Sequence, residues 1–164
     1  MLASANWPKA RYIIALAGGA RRGLEGSRMG SLEALFSAAA KARLSAYAPY
    51  SGFAVGAALR TVSGAIFSGA NVENAAYPIG TCAEAAAIAA MVAAGQRRIA
   101  EMLIIGEGDA LVTPCGACRQ RMREFAGEDA KIHVAGITGV RATFTLGVLL
   151  PAAFGPSMTK ADQL

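Results

Sequence analysis

The sequence predicts an α/β fold, with three layers in α/β/α order around a mixed β-sheet of about five strands. Three observations carry this reading. The elements run helix, strand, strand, helix, strand, helix, strand, and then a short strand and a helical turn, an alternation that builds layered α/β domains. Hydrophobic residues make up 54% of the chain and charged residues 16%, which supplies a core and excludes a chain disordered throughout. A length of 164 residues suits one such domain.

Residues 1–30 stand apart. They are basic and glycine-rich, and Lys9, Arg11, Arg21, Arg22 and Arg28 face the single acid Glu25. This segment reads as an N-terminal extension, expected to be disordered, ahead of a domain over residues 31–164. Its apolar stretch, Tyr12 to Leu16, is short, and Arg21-Arg22 follow it where an export signal places its basic residues first. A loose tail or an upstream start, with Met29 as the alternative first residue, is favoured over a cleaved targeting peptide.

From there each element has its own warrant. Leu32, Leu35, Phe36, Ala39 and Ala42 recur at helical spacing behind Ser31 as N-cap, so a helix is expected over 31–46, ending before Pro49. Val55, Ala57 and Leu59 alternate as in a strand, and Ser63-Gly64 turns into a second strand near Ala65–Gly69. Alanine-rich residues 81–95 read as a helix stopped by Gly95. Met102–Ile105 is expected as a buried strand, 115–126 as a helix, Ile132–Ala135 as a strand and Arg141–Phe144 as a short strand. A helical turn then leads to Leu150, before Pro151.

Charge and composition remove several function classes. The net charge is +5, but residues 1–30 hold five basic side chains against one acid, and residues 31–164 hold eleven basic against ten acidic. The domain itself is nearly neutral, which does not suit a surface that must neutralise a nucleic-acid backbone. The longest apolar run, Ala85 to Gly95, is far short of the ~20 residues a spanning helix needs. Three cysteines exclude a closed disulfide framework, and His133 is the single histidine.

The chemistry lies in two short pieces, Thr81-Cys82-Ala83-Glu84 and Pro114-Cys115-Gly116-Ala117-Cys118-Arg119-Gln120, each opening an expected helix. Cys-x-x-Cys at a helix start lets two sulfurs converge, and the helix dipole favours their thiolates. A third thiolate at another helix start gives three ligands and one open tetrahedral position. That is the arrangement of a catalytic zinc, whereas structural zinc takes four protein ligands. Glu84 is placed to reach a water in the open position without itself binding the metal. Two simpler readings compete. Cys115 and Cys118 alone would suit a thioredoxin-type redox pair, which leaves Cys82 and Glu84 unexplained; or the cysteines are buried without a metal.

On these residues the chain resembles the small cytidine deaminases, in their three-cysteine variant. The resemblance runs from about Leu35 to Phe154. Ala48 to Leu59 looks like the family's substrate-entry segment, and Asn71 to Pro78 like its ribose-binding segment. It implies a cytidine deaminase-like fold, a homotetramer in the cytoplasm and one zinc per subunit. It also implies hydrolysis of cytidine and 2′-deoxycytidine to the uridines and ammonia, in pyrimidine salvage. By resemblance, Cys82, Cys115 and Cys118 hold zinc and Glu84 is the catalytic acid–base. Phe53 lines the base pocket, Asn71 and Glu73 bind the sugar, and the backbone at Ala83 reads the pyrimidine edge. Phe154 reaches into a neighbouring subunit's site.

Taken singly, these residues have plainer readings. Phe53 suits a core aromatic, Phe154 a tail anchor, Asn71 a turn and Glu73 a solvated charge. Tyr47, Tyr50 and Tyr77 read as core or interface aromatics, Arg119, Arg121 and Arg123 as a solvated helix face, and His133 as structural. One position departs from the family: Ala85 stands where three-cysteine members carry an arginine after the glutamate. Three thiolates on a divalent ion leave a formal charge of −1, which makes bound water less acidic unless dipoles or Arg119 offset it. Rival functions are deamination of an antibiotic aminopyrimidine nucleoside such as blasticidin S, a non-catalytic zinc scaffold, and editing of polynucleotide bases.

Overall fold

The computed structural model describes residues 28–156; most of the N-terminal extension lies outside them. Helix α1 spans Arg28–Arg43. It opens one turn before the expected start, so Ser31 falls within the helix instead of capping it. It also ends earlier than expected. The Ser45 and Ala46 amides donate to Ala42 and Arg43 in a closing turn, and Tyr47 is then drawn into pairing with Asn71 and Glu73.

Strands β1 (Gly56–Thr61) and β2 (Ile66–Ala70) form the expected hairpin. Gly64 sits at φ +89° in its turn, a conformation that costs glycine little. Helix α2 (Ala83–Ala93), strand β3 (Ile99–Ile105), helix α3 (Gly116–Phe125) and strands β4 (Lys131–Gly136) and β5 (Gly139–Thr145) follow. The one-turn helix α4 (Leu146–Leu149) ends the series. The strand order is β2-β1-β3-β4-β5. Only β3 and β4 run parallel; the other neighbours are antiparallel. The sheet is mixed and has five strands, as expected.

Alternation along the strands divides the core in two. Ala57, Leu59, Met102, Ile104 and Ile132 face α2 and α3, where they pack with Ala87, Met91 and Met122. Ala58, Leu103, Ile105 and Ala135 face the other way and pack with Leu35 and Ala39 of α1. One sheet between two helical layers is the expected α/β/α stack. Each fully buried Leu, Ile or Met contributes about 1.5–3 kcal/mol by leaving water.

The close seating of α2 depends on a glycine. A Cβ on Gly69 of β2 would lie 2.5 Å from the Ala87 nitrogen and 2.8 Å from the Ala83 oxygen. With hydrogen there instead, the first turn of α2 rests directly on the strand. That turn carries Glu84, with Cys82 at its cap.

On the α1 face of the sheet, Arg60, Glu101, His133 and Thr143 form a polar row across four strands. Arg60 Nε donates to Glu101 at 2.7 Å, and His133 contacts Glu101 at 3.1 Å and the Thr143 hydroxyl at 2.9 Å. His133 is structural, as its place in a strand suggests.

Candidate active site

Cys82 and Cys115 occupy equivalent places. Each is the N-cap of its helix with extended backbone dihedrals, and neither side chain is used to cap it. Their sulfurs are therefore free to turn inward. The Cys82 and Cys115 Sγ atoms stand 3.9 Å apart, and with Cys118 Sγ all three lie within 4.8 Å of one another. Zn–S bonds of about 2.3 Å at a tetrahedral angle place sulfurs roughly 3.8 Å apart. The donor set and its spacing fit a zinc ion, and three protein ligands leave one position open.

Glu84 lies in the first turn of α2 and is 5% exposed. Burial pushes its carboxyl above the usual range; a backbone hydrogen bond, the Cys118 side chain and the Arg121 charge offset this in part. Burial also raises the Cys118 thiol, helped by the negative charge of Glu84, and raises Cys82. Burial acts the same way on Cys115, but hydrogen bonds from the Cys118 backbone and from both other cysteines outweigh it and bring that thiol down. A divalent cation is the natural counter-charge for such a cluster.

Beside the sulfurs opens a cavity of about 500 Å³, with Cys82 in its wall. The segment from Tyr50 to Ser51 and that from Asn71 to Asn74 form much of the lining. They are tied to each other by Asn71 and Glu73. Asn71 Nδ2 donates to the Phe53 carbonyl at 2.9 Å, and its Oδ1 accepts the Val55 amide at 2.8 Å. Glu73 accepts the Tyr50 and Ser51 amides and the Ser51 hydroxyl. These bonds, that from the Ser51 hydroxyl first, hold the Glu73 carboxyl below its ordinary value. Val72 and Thr81 exchange backbone hydrogen bonds at 2.8 Å, closing the far side of the loop on the α2 cap.

The structure thus brings Cys82, Cys115, Cys118 and Glu84 together, with Ala83 fully buried between two of them, and puts Asn71 and Glu73 in the cavity wall. Phe53 and Phe154, 42% and 62% exposed, are not among the lining residues of the single chain. Two expectations are corrected. Of core or interface for the three tyrosines, core is excluded: Tyr50 and Tyr77 are exposed and belong to the cavity, their rings 5.7 Å apart, and Tyr47 is also exposed. Arg119 is not a solvated residue. Its guanidinium donates to the Pro114 and Leu149 carbonyls at 2.7 and 2.9 Å and reaches Thr113 Oγ1 at 3.4 Å. It braces the metal loop from outside, its guanidinium taken up by these oxygens. Ser51 and Thr81 also line the cavity; the one sequence signal for them is their place inside the two motif segments.

The chain matches the family model for the cytidine and deoxycytidylate deaminase zinc-binding region over residues 29–134. It belongs to that family. Among curated relatives, the cytidine deaminase of Halalkalibacterium halodurans is 40% identical over 120 residues, 73% of this chain and 91% of the relative. That of Mycobacterium tuberculosis is 39% identical over 117 residues, 71% and 84% respectively. Among solved structures, a cytidine deaminase from Burkholderia pseudomallei superposes with a TM-score of 0.70 at 45% identity, covering 74% of this chain and 98% of that one. The Mycobacterium tuberculosis enzyme superposes with a TM-score of 0.65 at 37% identity, covering 75% and 96%. Membership makes zinc the metal that this family's cysteine cluster binds. Among the described residues no helix is long and apolar enough to cross a membrane.

Proposed function

We propose that this chain is a zinc-dependent cytidine deaminase, converting cytidine and 2′-deoxycytidine to the uridines and ammonia in pyrimidine salvage in the cytoplasm. The observation that carries this is one buried carboxylate, Glu84, in the helix turn that Cys82 opens and beside Cys118, next to a three-sulfur cluster that leaves a coordination position open. A structural zinc site has four protein ligands and no need of a buried acid beside it.

Cys82, Cys115 and Cys118 would hold the ion, one per chain, and when bound it would supply a water acidic enough to lose a proton near neutral pH. Glu84 accepts that proton, and its raised pKa suits a group that must take and return protons. It delivers the proton to N3 of the cytosine ring as oxygen adds at C4. It then takes the remaining proton from the new C4 hydroxyl and passes it to the amino group, so that the C4–N bond breaks, ammonia leaves and the C4 carbonyl forms. The backbone at Ala83 reads the pyrimidine edge. Asn71 and Glu73 keep a spare lone pair or N–H beyond their bonds to residues 50–55 and turn these to the sugar hydroxyls. Phe53 covers the base.

Phe154 completes the site of a neighbouring subunit in a homotetramer; its exposure in the single chain supports that reading. Purified protein assayed for zinc and for uridine formation from cytidine tests the proposal. About one zinc per chain and steady turnover are expected. Full zinc occupancy with no deamination of either nucleoside would overturn it.

A further inference from the structure

The C-terminal segment is gripped by the helix that carries the metal ligands. Arg119 Nη1 donates to the Leu149 carbonyl at 2.9 Å, and Gln120 Nε2 donates to the Phe154 carbonyl at 2.8 Å. Gly155 is buried against the Arg123 guanidinium so closely that a Cβ there would lie 3.1 Å from its central carbon. These three side chains lie on one helix, α3, and Arg119 and Gln120 directly follow Cys118. Between the two hydrogen-bonded carbonyls sits Ala152 at φ +52°, the only non-glycine residue with positive φ among the described residues. An L-residue there carries a steric cost and persists only where its surroundings impose it. The strain is bracketed, and just beyond it Phe154 is turned to solvent.

We infer that Gln120, backed by Arg119, is a positioning residue for Phe154. The pair clamps residues 149–154 on either side of the strained Ala152, so that the ring is presented outward in one fixed direction to a second copy of the chain. Without the clamp, Ala152 relaxes toward ordinary backbone angles and the ring loses its aim. This rests on the reading of Phe154 as part of a neighbour's site. The metal cluster does not depend on the Gln120 half of the clamp, because Gln120 is exposed while Cys118 is fully buried.

The test uses the full-length, zinc-loaded chain with Gln120→Glu, which keeps size but cannot donate to the Phe154 carbonyl, alongside Phe154→Ala and the double variant. Each single change is expected to raise KM for cytidine by roughly 3- to 10-fold, the value of one aromatic contact, with kcat and zinc content unchanged. The double variant should be no worse than Phe154→Ala, because residues acting through one contact are not additive. Amide hydrogen exchange over residues 150–156 should quicken in Gln120→Glu without substrate. Multiplying KM effects, loss of zinc in Gln120→Glu, or unchanged exchange would overturn the inference. Absence of wild-type deamination would instead defeat the proposed function, and the exchange measurement would still decide the clamp.

Discussion

Cys82 and Cys115 are 33 positions apart in the chain, yet each occupies the N-cap position of its own helix and their sulfurs stand 3.9 Å apart. The sheet brings the two helix starts together, and the metal-binding geometry is therefore a property of the fold. Replacing Cys115 with alanine leaves two sulfurs. Zinc retained after dialysis should fall from about one per chain to near zero. The loss of affinity should exceed the ~10- to 100-fold that follows removal of a supporting contact. Metal analysis checks this, and retention of a full equivalent would mean that another residue completes the site.

The seating of α2 on β2 predicts a distant effect on the same site. In Gly69→Ala the new methyl would meet the Ala86 Cβ at 2.6 Å and the Ala87 nitrogen at 2.5 Å. Backbone cannot yield as a side-chain end does, so α2 must lift. A loss of about 1–3 kcal/mol of stability is expected from such overpacking, together with faster zinc loss to a chelator because Cys82 moves with the helix. Denaturant unfolding and chelator kinetics measure the two effects. A variant as stable as the parent would show that α2 is less firmly seated than the glycine implies.

Much of this was legible beforehand, for reasons that differ between residues. Thr81 to Glu84 and Pro114 to Gln120 carry their chemistry in local spacing, so the cluster could be read before any fold was known. The two-sided core followed from strand alternation, as Leu59 beside Ala58 illustrates. The partners of Arg119 could not be read, because they are the backbone carbonyls of Pro114 and Leu149, which have no residue-specific signature. The same holds for Asn71 and Glu73. Their segment was recognisable, but their bonds to the Phe53 carbonyl and the Tyr50 amide depend on how the loops meet. Helix α1 starts at Arg28, ahead of Ser31, because a serine is compatible with a helix interior as well as with an N-cap.

Asn71 and Glu73 yield a prediction about specificity. On the proposed reading, alanine at either position removes a sugar partner; it also releases the 50–55 segment that these side chains hold. KM for cytidine should rise by at least 10-fold with a smaller change in kcat, since these groups act chiefly in binding. Free cytosine, which lacks the sugar, should be a poor substrate for the parent protein. Equal kcat/KM for cytosine and cytidine would contradict the assignment.

The Glu101 row predicts an acid-dependent loss of stability. Burial alone would raise this carboxyl, but hydrogen bonds from Arg60 and His133 outweigh it and hold it below its ordinary value of 4.5. A carboxyl whose folded pKa is depressed contributes stability that is fully present above the unfolded pKa. That contribution is lost as pH falls from about 5 through the lower folded value. Glu101→Gln should therefore cost about 1 kcal/mol near pH 7, the net worth of a charged hydrogen bond in a partly exposed setting. The gap should narrow as the pH drops toward 3. Parallel denaturation curves at both pH values would show that Glu101 is not titrating with folding.

Glu84→Gln separates metal binding from catalysis. Glutamine keeps the size and polarity of the side chain, and the three sulfurs are untouched, so zinc should remain at about one per chain. What disappears is the proton acceptor. Acid–base catalysis by one positioned group is worth ~10² to 10⁴ in rate, and in the proposed mechanism the same carboxyl serves every proton transfer, so turnover should fall by at least that factor. A non-catalytic zinc scaffold predicts no such separation, because it has no rate to lose. Full turnover in Glu84→Gln would take the proton shuttle away from Glu84, and loss of zinc would make that residue part of the metal site.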